Sequence, residues 1–371
     1  MHRCEVGWYE YKNSIFYLLN LFIISSLVSV SCGQITGVNS PGIKINYPLA
    51  NYSDLSWLSE TELAAFVSDE DGGVTGYYLE GDNHFYSLDL PPFVAKLDCK
   101  GVNDINNAIN YTHPSLLPDG RLGLINGCVS RGDPPGLKRQ YMVAYNFQTK
   151  ETNLLVNEPL PNYLSNGFTW NPEMTKGLQQ IYGGLEGTIY WMSSEGVAPI
   201  DFAISDGKHS FSPAKDFPYF SGNNEQGIVF SPTWSPDGKT VAFLVTLDAI
   251  GRSGFSRSDG EYKIFFMDPI EQKPYPVVGK IYHPSKLIWS PDNTWLAFIG
   301  EYGIAKTRGL WLYSINSRKI YSLVSGEFEN IAWSSNGNKI AATICEPAHP
   351  NILCDRYEIW EYDVSAIKEQ T

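Results

Sequence analysis

The chain has 371 residues, with 40 Asp and Glu against 27 Lys and Arg, a formal net charge of −13. That acid surplus excludes recognition of nucleic acid through clustered basic groups, because phosphate binding is carried by Lys and Arg. Length alone allows roughly two or three domains, a number that the internal organisation reduces to one.

Residues 1–32 stand apart. Arg3 and Lys12 precede an apolar run from Ser14 to Ser31 (SIFYLLNLFIISSLVSVS) that ends at Cys32-Gly33. A basic start before such a run reads as a secretory signal or an uncleaved membrane anchor. Ser31-Cys32 is similar to a bacterial lipobox, in which Cys32 becomes the lipidated N-terminus, although Ser29 stands where Leu is usual. Lipoprotein, uncleaved anchor and plain secretion all place the rest of the chain outside the cytoplasm, in the cell envelope or beyond it. Glu5 and Glu10 balance Arg3 and Lys12, so the remainder keeps the whole charge. No window within 33–371 is long and apolar enough to span a membrane as a helix.

Residues 33–42 read as a tether and IKINYPL (43–49) as a strand. A phrase then recurs. PTWSPDGKTVAFLV (232–245) joins a tryptophan, a Ser-Pro-Asp-Gly turn and a run of β-formers, and LIWSPDNTWLAFIG (287–300) nearly repeats it. Pro fixes φ, Asp bonds its own backbone and Gly accepts positive φ, so the turn closes a hairpin. Aligned on the residue in the Trp234 place, six copies appear at Trp57, Leu117, Trp170, Trp234, Trp289 and Trp333, at intervals of 60, 53, 64, 55 and 44 residues.

A third apolar run follows each hairpin: HFYSLDL (84–90), YMVAYNF (141–147), TIYWM (188–192), KIFFMD (263–268), LWLYSI (310–315) and EIWEYDV (358–364). A fourth usually comes next, as VAKLD (94–98), TNLLV (152–156), VAPIDF (197–202), YPVV (275–278) and IYSLV (320–324). Four short strands, six times over, predict an all-β fold, a six-bladed β-propeller of four-stranded antiparallel blades over 43–367, with blades starting near 55, 115, 168, 228, 286 and 329. The last repeat lacks a fourth run, and IKINYPL is expected to supply it beside Ile359–Val364. An unpaired edge is thereby removed.

The Trp-Ser-Pro-Asp-Gly phrase with its apolar strand resembles the propeller repeat of the TolB family, the periplasmic component of the Tol–Pal system. It is similar as well to the propeller domains of prolyl-oligopeptidase-type enzymes and to WD-repeat propellers. The resemblance is sharp at Trp234–Gly238 and Trp289–Asp292 and weak at Trp57 and Trp170. It implies the fold more than a role, since propellers host many activities. The TolB family also carries a domain ahead of its propeller, for which residues 33–42 are too short, so a Tol–Pal function is not expected.

Chemical motifs are sparse. GRSGFSRSDG (251–260) lacks the spacing of a hydrolase G-x-S-x-G elbow, and no P-loop, H-E-x-x-H or dinucleotide fingerprint occurs. His84, His113, His209, His283 and His349 lack metal-ligand spacing, and SDEDGG (68–73) departs from an EF-hand loop. No catalytic residue, metal or cofactor is therefore expected. Four cysteines follow Cys32: Cys99, Cys128, Cys345 and Cys354. Their even number in an exported chain suggests disulfides, with three possible pairings. Cys345–Cys354 closes a local loop, which leaves Cys99–Cys128; four free thiols remain the alternative.

The connections between second and third strands are long: 69–83, 126–139, 246–261, 300–309 and 345–354. All should emerge on one face, and insertions confined to one face mark a binding surface. They carry Arg131, Lys138, Arg139, Arg252, Arg257, Lys306 and Arg308, a basic rim on an acidic protein that suits an anionic ligand or an acidic partner. The expectation is a non-catalytic extracytoplasmic binding or scaffold protein with a protein partner or anionic ligand on that face and membrane attachment through its N-terminus. Two alternatives stand beside it. One is a lyase or glycosidase at the channel mouth; the other is a sensory or assembly domain of a cell-surface complex.

Overall fold

Each repeat is organised by the turn after its tryptophan place. In Ser235-Pro236-Asp237-Gly238 the Gly238 amide donates to the Ser235 carbonyl at 2.9 Å, and the Ser235 amide donates to the Thr240 carbonyl at 2.8 Å. The Ser235 hydroxyl donates to Asp237 Oδ1 at 2.7 Å and accepts from the Thr240 amide at 2.9 Å. A short polar side chain thus satisfies backbone groups that the ladder cannot reach. Ser290 and Ser334 do the same for the Trp295 and Lys339 amides, at 2.9 and 3.0 Å. The fourth turn position has positive φ at Gly120 (82°), Met174 (55°), Gly238 (69°), Asn293 (63°) and Gly337 (69°). Glycine recurs there because it alone meets no steric cost.

This frame corrects one alignment. The Leu117 amide donates to the Arg121 carbonyl at 2.8 Å, just as Ser235 donates to Thr240. Leu117 therefore holds the Ser235 place and Leu116 the tryptophan place. Two adjacent leucines satisfy the apolar pattern equally, and only the hydrogen bonds separate them.

In the computed structural model the chain divides into two units, Met1–Gly33 and Gln34–Thr371. The structure describes residues 36–37, 41–68, 73–79, 84–88, 109–130, 136–157, 164–183, 186–194, 197–199, 204–205, 210–211, 228–246, 260–303, 305–345 and 356–368. Two strands precede the repeats, β1 (Thr36–Gly37) and β2 (Ile43–Ala50). The first repeat forms β3 (Tyr52–Trp57), β4 (Leu63–Ser68), β5 (Val74–Leu79) and β6 (Phe85–Ser87). The second forms β7 (Ile109–Leu116), β8 (Leu122–Ser130), β9 (Gly136–Tyr145) and β10 (Thr152–Leu154). The third forms β11 (Leu164–Trp170), β12 (Gly177–Gly183), β13 (Glu186–Met192) and β14 (Val197–Pro199), followed by the short pair β15 (Ile204–Ser205) and β16 (Ser210–Phe211).

The fourth repeat comprises β17 (Ile228–Trp234), β18 (Val241–Thr246), β19 (Tyr262–Met267) and β20 (Pro274–Tyr282). The fifth comprises β21 (Leu287–Trp289), β22 (Trp295–Tyr302), β23 (Thr307–Ser314) and β24 (Ile320–Ser325). The sixth has β25 (Phe328–Trp333), β26 (Lys339–Cys345) and β27 (Tyr357–Asp363), before one helical turn, α1 (Ser365–Lys368).

The arrangement is a β-propeller of antiparallel sheets, whose sheets do not divide as the sequence predicts. Four four-stranded sheets stand alone among the described residues, while the fourth and fifth repeats share one nine-stranded sheet with β1. The join is β20, which continues to Tyr282 and pairs Ile281 and Tyr282 with Tyr302 and Glu301 of β22. In the first repeat VTGYYL, expected as a loop, is the third strand, and Phe85–Ser87 of HFYSLDL is the fourth. VAKLD lies outside the described residues. Part of the expected tether is β1, which pairs in parallel with β24, Thr36 opposite Tyr321.

The N-terminal strand sits where the open edge needs it. β2 pairs antiparallel with β27, Ile43 opposite Glu361 and Ile45 opposite Ile359. Tyr47 turns inward from it and donates to the Leu63 carbonyl at 2.5 Å. The first strand of each repeat contacts that of the next, and β25 returns to β3. Six apolar clusters fill the spaces between consecutive repeats, the last joining Ala332, Ala341 and Ile359 to Tyr47, Leu55, Trp57 and Leu63. Trp57, Trp170, Trp234, Trp289 and Trp333 each pack into the cluster shared with the preceding repeat. A large aromatic at that place bridges two sheets, which explains its recurrence.

On the turn side Lys368 of α1 donates to Asp292 Oδ2 at 2.6 Å. Burial alone pushes the Asp292 carboxyl up, but bonds from Lys368, Ser290 and Thr294 outweigh it and bring the pKa to about 2, from 3.8. The folded value lies below the unfolded one, so this stabilisation is complete above pH 3.8 and is lost as pH falls towards 2. Asp292→Asn should flatten the acid limb of a stability profile and cost no more than about 1 kcal/mol at neutral pH, because the pair is partly exposed. Denaturant midpoints from pH 2 to pH 7 provide the measurement.

Candidate functional site: the central channel

Side chains alternate along a strand. The tryptophan place faces the cluster shared with the preceding repeat, and the residue before it faces the other way. Those residues are Ser56, Ser115, Thr169, Thr233, Ile288 and Ala332, one from every repeat, and all six border a single cavity of 480 Å³. Four of the six carry hydroxyls. Trp57, Trp289, Trp333 and Phe168 add aromatic wall to the same cavity.

Two residues earlier, three before the tryptophan place, lies a second layer: Asp54, His113, Gly167, Ser231, Lys286 and Asn330. The ladder slips close to this level in five repeats, between Tyr52 and Asp54, Thr112 and Ser115, Ser165 and Gly167, Phe230 and Thr233, and Phe328 and Ile331. Bulges of this kind re-aim side chains. His113 and Ser231 mark theirs with φ of 54° and 51°. Asp54, Ser231 and Lys286 reach the cavity.

Among the described residues, Lys286 and Asp54 are the only charged ones that border that cavity. Lys286 Nζ donates to Asp54 Oδ1 at 3.0 Å, joining the fifth repeat to the first past the sixth. Between them Asn330 donates through Nδ2 to the Tyr52 carbonyl at 3.1 Å, while its own amide donates to Thr343 Oγ1 at 2.9 Å. His113 is held neutral, since burial pushes its pKa down to about 4. Near Lys286 stands Glu329, whose carboxyl is pushed up by lost hydration against the pull of Arg308 and Lys286. Arg308 forms an ion pair with Glu327 and donates to the His283 carbonyl at 3.4 Å. His283 Nδ1 lies 2.7 Å from Glu301 Oε1.

The basic rim expected from the loops is only partly described. Arg131, Arg252 and Arg257 lie outside the described residues, as do Cys32, Cys99 and Cys354. Lys138 and Arg139 belong to β9, with Lys138 opposite Cys128, because the β8–β9 hairpin continues to Ser130 and Gly136. Arg308 is likewise in β23, opposite Glu301, and the expected loop 300–309 shrinks to a tight connection after Tyr302. Hydrogen-bond ladders extended both hairpins through residues whose polarity suggested loops. Lys306 is exposed, with Nζ 3.9 Å from the Tyr282 ring centroid. Cys345 is disulfide-bonded.

Lys286 and Asp54 were not legible as candidates from residue type alone. The signal that finds them is positional: each lies three residues before a repeat tryptophan.

Comparison with known proteins supports the fold. No protein-family model matches the sequence, and a comparison with curated proteins finds no match. Among solved structures the chain is similar to the calcium-binding protein regucalcin from Agrobacterium tumefaciens, with a TM-score of 0.51 and 11% identity over 88% of this chain and 95% of that one. It is also similar to TolB from Acinetobacter baumannii, with a TM-score of 0.45 and 11% identity over 81% of this chain. That match spans 60% of the TolB chain. Oligogalacturonate lyase from Vibrio parahaemolyticus is matched with a TM-score of 0.45 and 10% identity, over 88% of this chain and 99% of that one. At 11% identity the regucalcin likeness speaks to the propeller fold alone.

Proposed function

We propose that the chain is a non-catalytic binding propeller of six four-stranded blades, exported from the cytoplasm, that takes its ligand or partner at the polar end of the central channel. The observation that carries this reading is the cavity itself. Strands from six repeats converge on one space, and among the described residues its wall holds a single cation, Lys286, paired with Asp54. A concave, largely preformed space with a few convergent polar groups is the usual form of a ligand site. Five repeats with the same turn, and six clusters between repeats, support the blade number. The nine-stranded sheet then counts as two blades joined through β20.

Export is supported by the apolar run 14–31 behind Arg3 and Lys12, and by the disulfide at Cys345. Lipidation at Cys32, with membrane attachment there and pairing of Cys345 with Cys354 and Cys99 with Cys128, completes the proposal. An acidic protein partner on the loop side would meet Lys306 together with Arg131, Arg252 and Arg257. The test uses the full chain as bait against envelope proteins, beside a variant carrying Ser at those four positions. Capture by the parent should weaken as salt rises, because exposed charges are screened over about 10 Å at 0.1 M, and the variant should lose it. Undiminished capture by the variant sets the rim aside.

A further inference from the structure

We propose that Lys286 anchors a site for a small organic carboxylate in the central cavity, and that the ligand's carboxylate replaces Asp54 on the Lys286 ammonium. This rests on the reading of the channel as the binding site and names its ligand chemistry. The cavity, at 480 Å³, falls within the range of about 300–1,000 Å³ typical of small-molecule sites. Its charged wall is one ion pair, and the two partners differ in access: the Lys286 side chain is 31% exposed and the Asp54 side chain 11%. Both residues border the cavity, and the lysine side chain is the more accessible of the two.

An ammonium has three donors, of which Asp54 accepts one at 3.0 Å. Ser56, Ser231 and Ser285 border the same space and add polar wall to it. Trp57, Trp289 and Trp333 give an apolar body a wall to lie against. The charge count selects the head group. A ligand cation would meet the Lys286 ammonium, and a phosphate dianion exceeds what one lysine already shared with Asp54 can balance. A monoanionic carboxylate matches Asp54 in charge and geometry. Two carboxylates on one ammonium repel at short range, so the incoming one displaces the internal one rather than joining it.

The probe is benzoate, with benzylamine as its cationic counterpart, titrated into the full chain while tryptophan fluorescence is followed. Asp54→Asn removes the competing charge and should bind benzoate about tenfold more tightly than the parent. Lys286→Gln should lose binding at least about tenfold. Because that change strands Asp54 in the wall, the double variant Asp54→Asn with Lys286→Gln is measured too. It should keep the parent melting temperature within a few degrees and bind no benzoate. Benzylamine should leave the fluorescence of the parent unchanged.

Weaker or equal binding by Asp54→Asn overturns the proposal, as does benzoate binding retained by the double variant, or none by the parent and Asp54→Asn alike. Salt-sensitive partner capture that survives in the Lys286→Gln chain, with no benzoate binding anywhere, removes the carboxylate site and leaves the wider binding reading standing.

Discussion

Deleting residues 41–50 is expected to abolish cooperative folding of the Gln34–Thr371 unit, or to lower its unfolding free energy by several kcal/mol. The deletion removes β2 and leaves β27 as an open edge, with the backbone groups of Tyr357–Asp363 unpaired on one side. It also removes Tyr47, 8% exposed, from the cluster between the sixth and first repeats. Loss of a large buried aromatic alone costs about 3–5 kcal/mol, a large share of the 5–15 kcal/mol that holds a typical domain. An exposed edge adds a route to aggregation. Tyr47→Phe isolates one contribution: it deletes the hydroxyl that donates to the Leu63 carbonyl and should cost about 1 kcal/mol. Denaturant unfolding of both variants beside the parent measures the two effects, and an unchanged midpoint for the deletion contradicts the role given to β2.

Phe298→Ala should be nearly as damaging. Phe298 is fully buried in the cluster between the fourth and fifth repeats and meets Tyr302 edge-on at 6.1 Å between ring centroids. The hole it leaves is walled by strands of the nine-stranded sheet, which are fixed by their ladders and collapse little, so the cost should reach about 3–5 kcal/mol. Phe298→Leu, which keeps much of the volume, should cost less than half as much. The comparison of the two midpoints separates lost packing from a general intolerance of change at this site.

Much of this fold is legible in the sequence because its local signals agree. Ser-Pro-Asp-Gly sets the hairpin, the tryptophan place sets the contact between sheets, and an unpaired last repeat calls for a strand from the other end of the chain. The misreadings came where local chemistry is ambiguous. VTGYYL carries Gly and Thr and lies beside an acidic stretch, so it resembled loop, yet the ladder to β4 made it a strand. Leu116 and Leu117 are equivalent in the residue pattern, and the turn hydrogen bond at Leu117 separates them. Lys138, Arg139 and Arg308 looked like loop residues because they are charged, although a hairpin rim exposes alternate side chains without ending the strand.

The channel pair was hidden for a different reason. Asp54 and Lys286 are 232 residues apart, and nothing in either local sequence marks it as a partner of the other. Ring geometry brings them together. Only after the repeats are aligned by their turns does each appear in the same row, where the bulges near Asp54, His113 and Ser231 turn the backbone.

The central claim is that one ring, completed by its own N-terminal strand, unites all six repeats around a single channel. Ile45 and Ile359 stand opposite each other in the β2–β27 ladder, and facing residues of an antiparallel pair lie about 4.5–5.5 Å apart at Cα, within reach of a disulfide. The most direct measurement is therefore oxidation of the Ile45→Cys, Ile359→Cys double variant, followed by digestion and mass spectrometry of the linked peptides. The account predicts a crosslink within one chain whose yield does not change with protein concentration. No crosslink, or one formed only between chains, would contradict it.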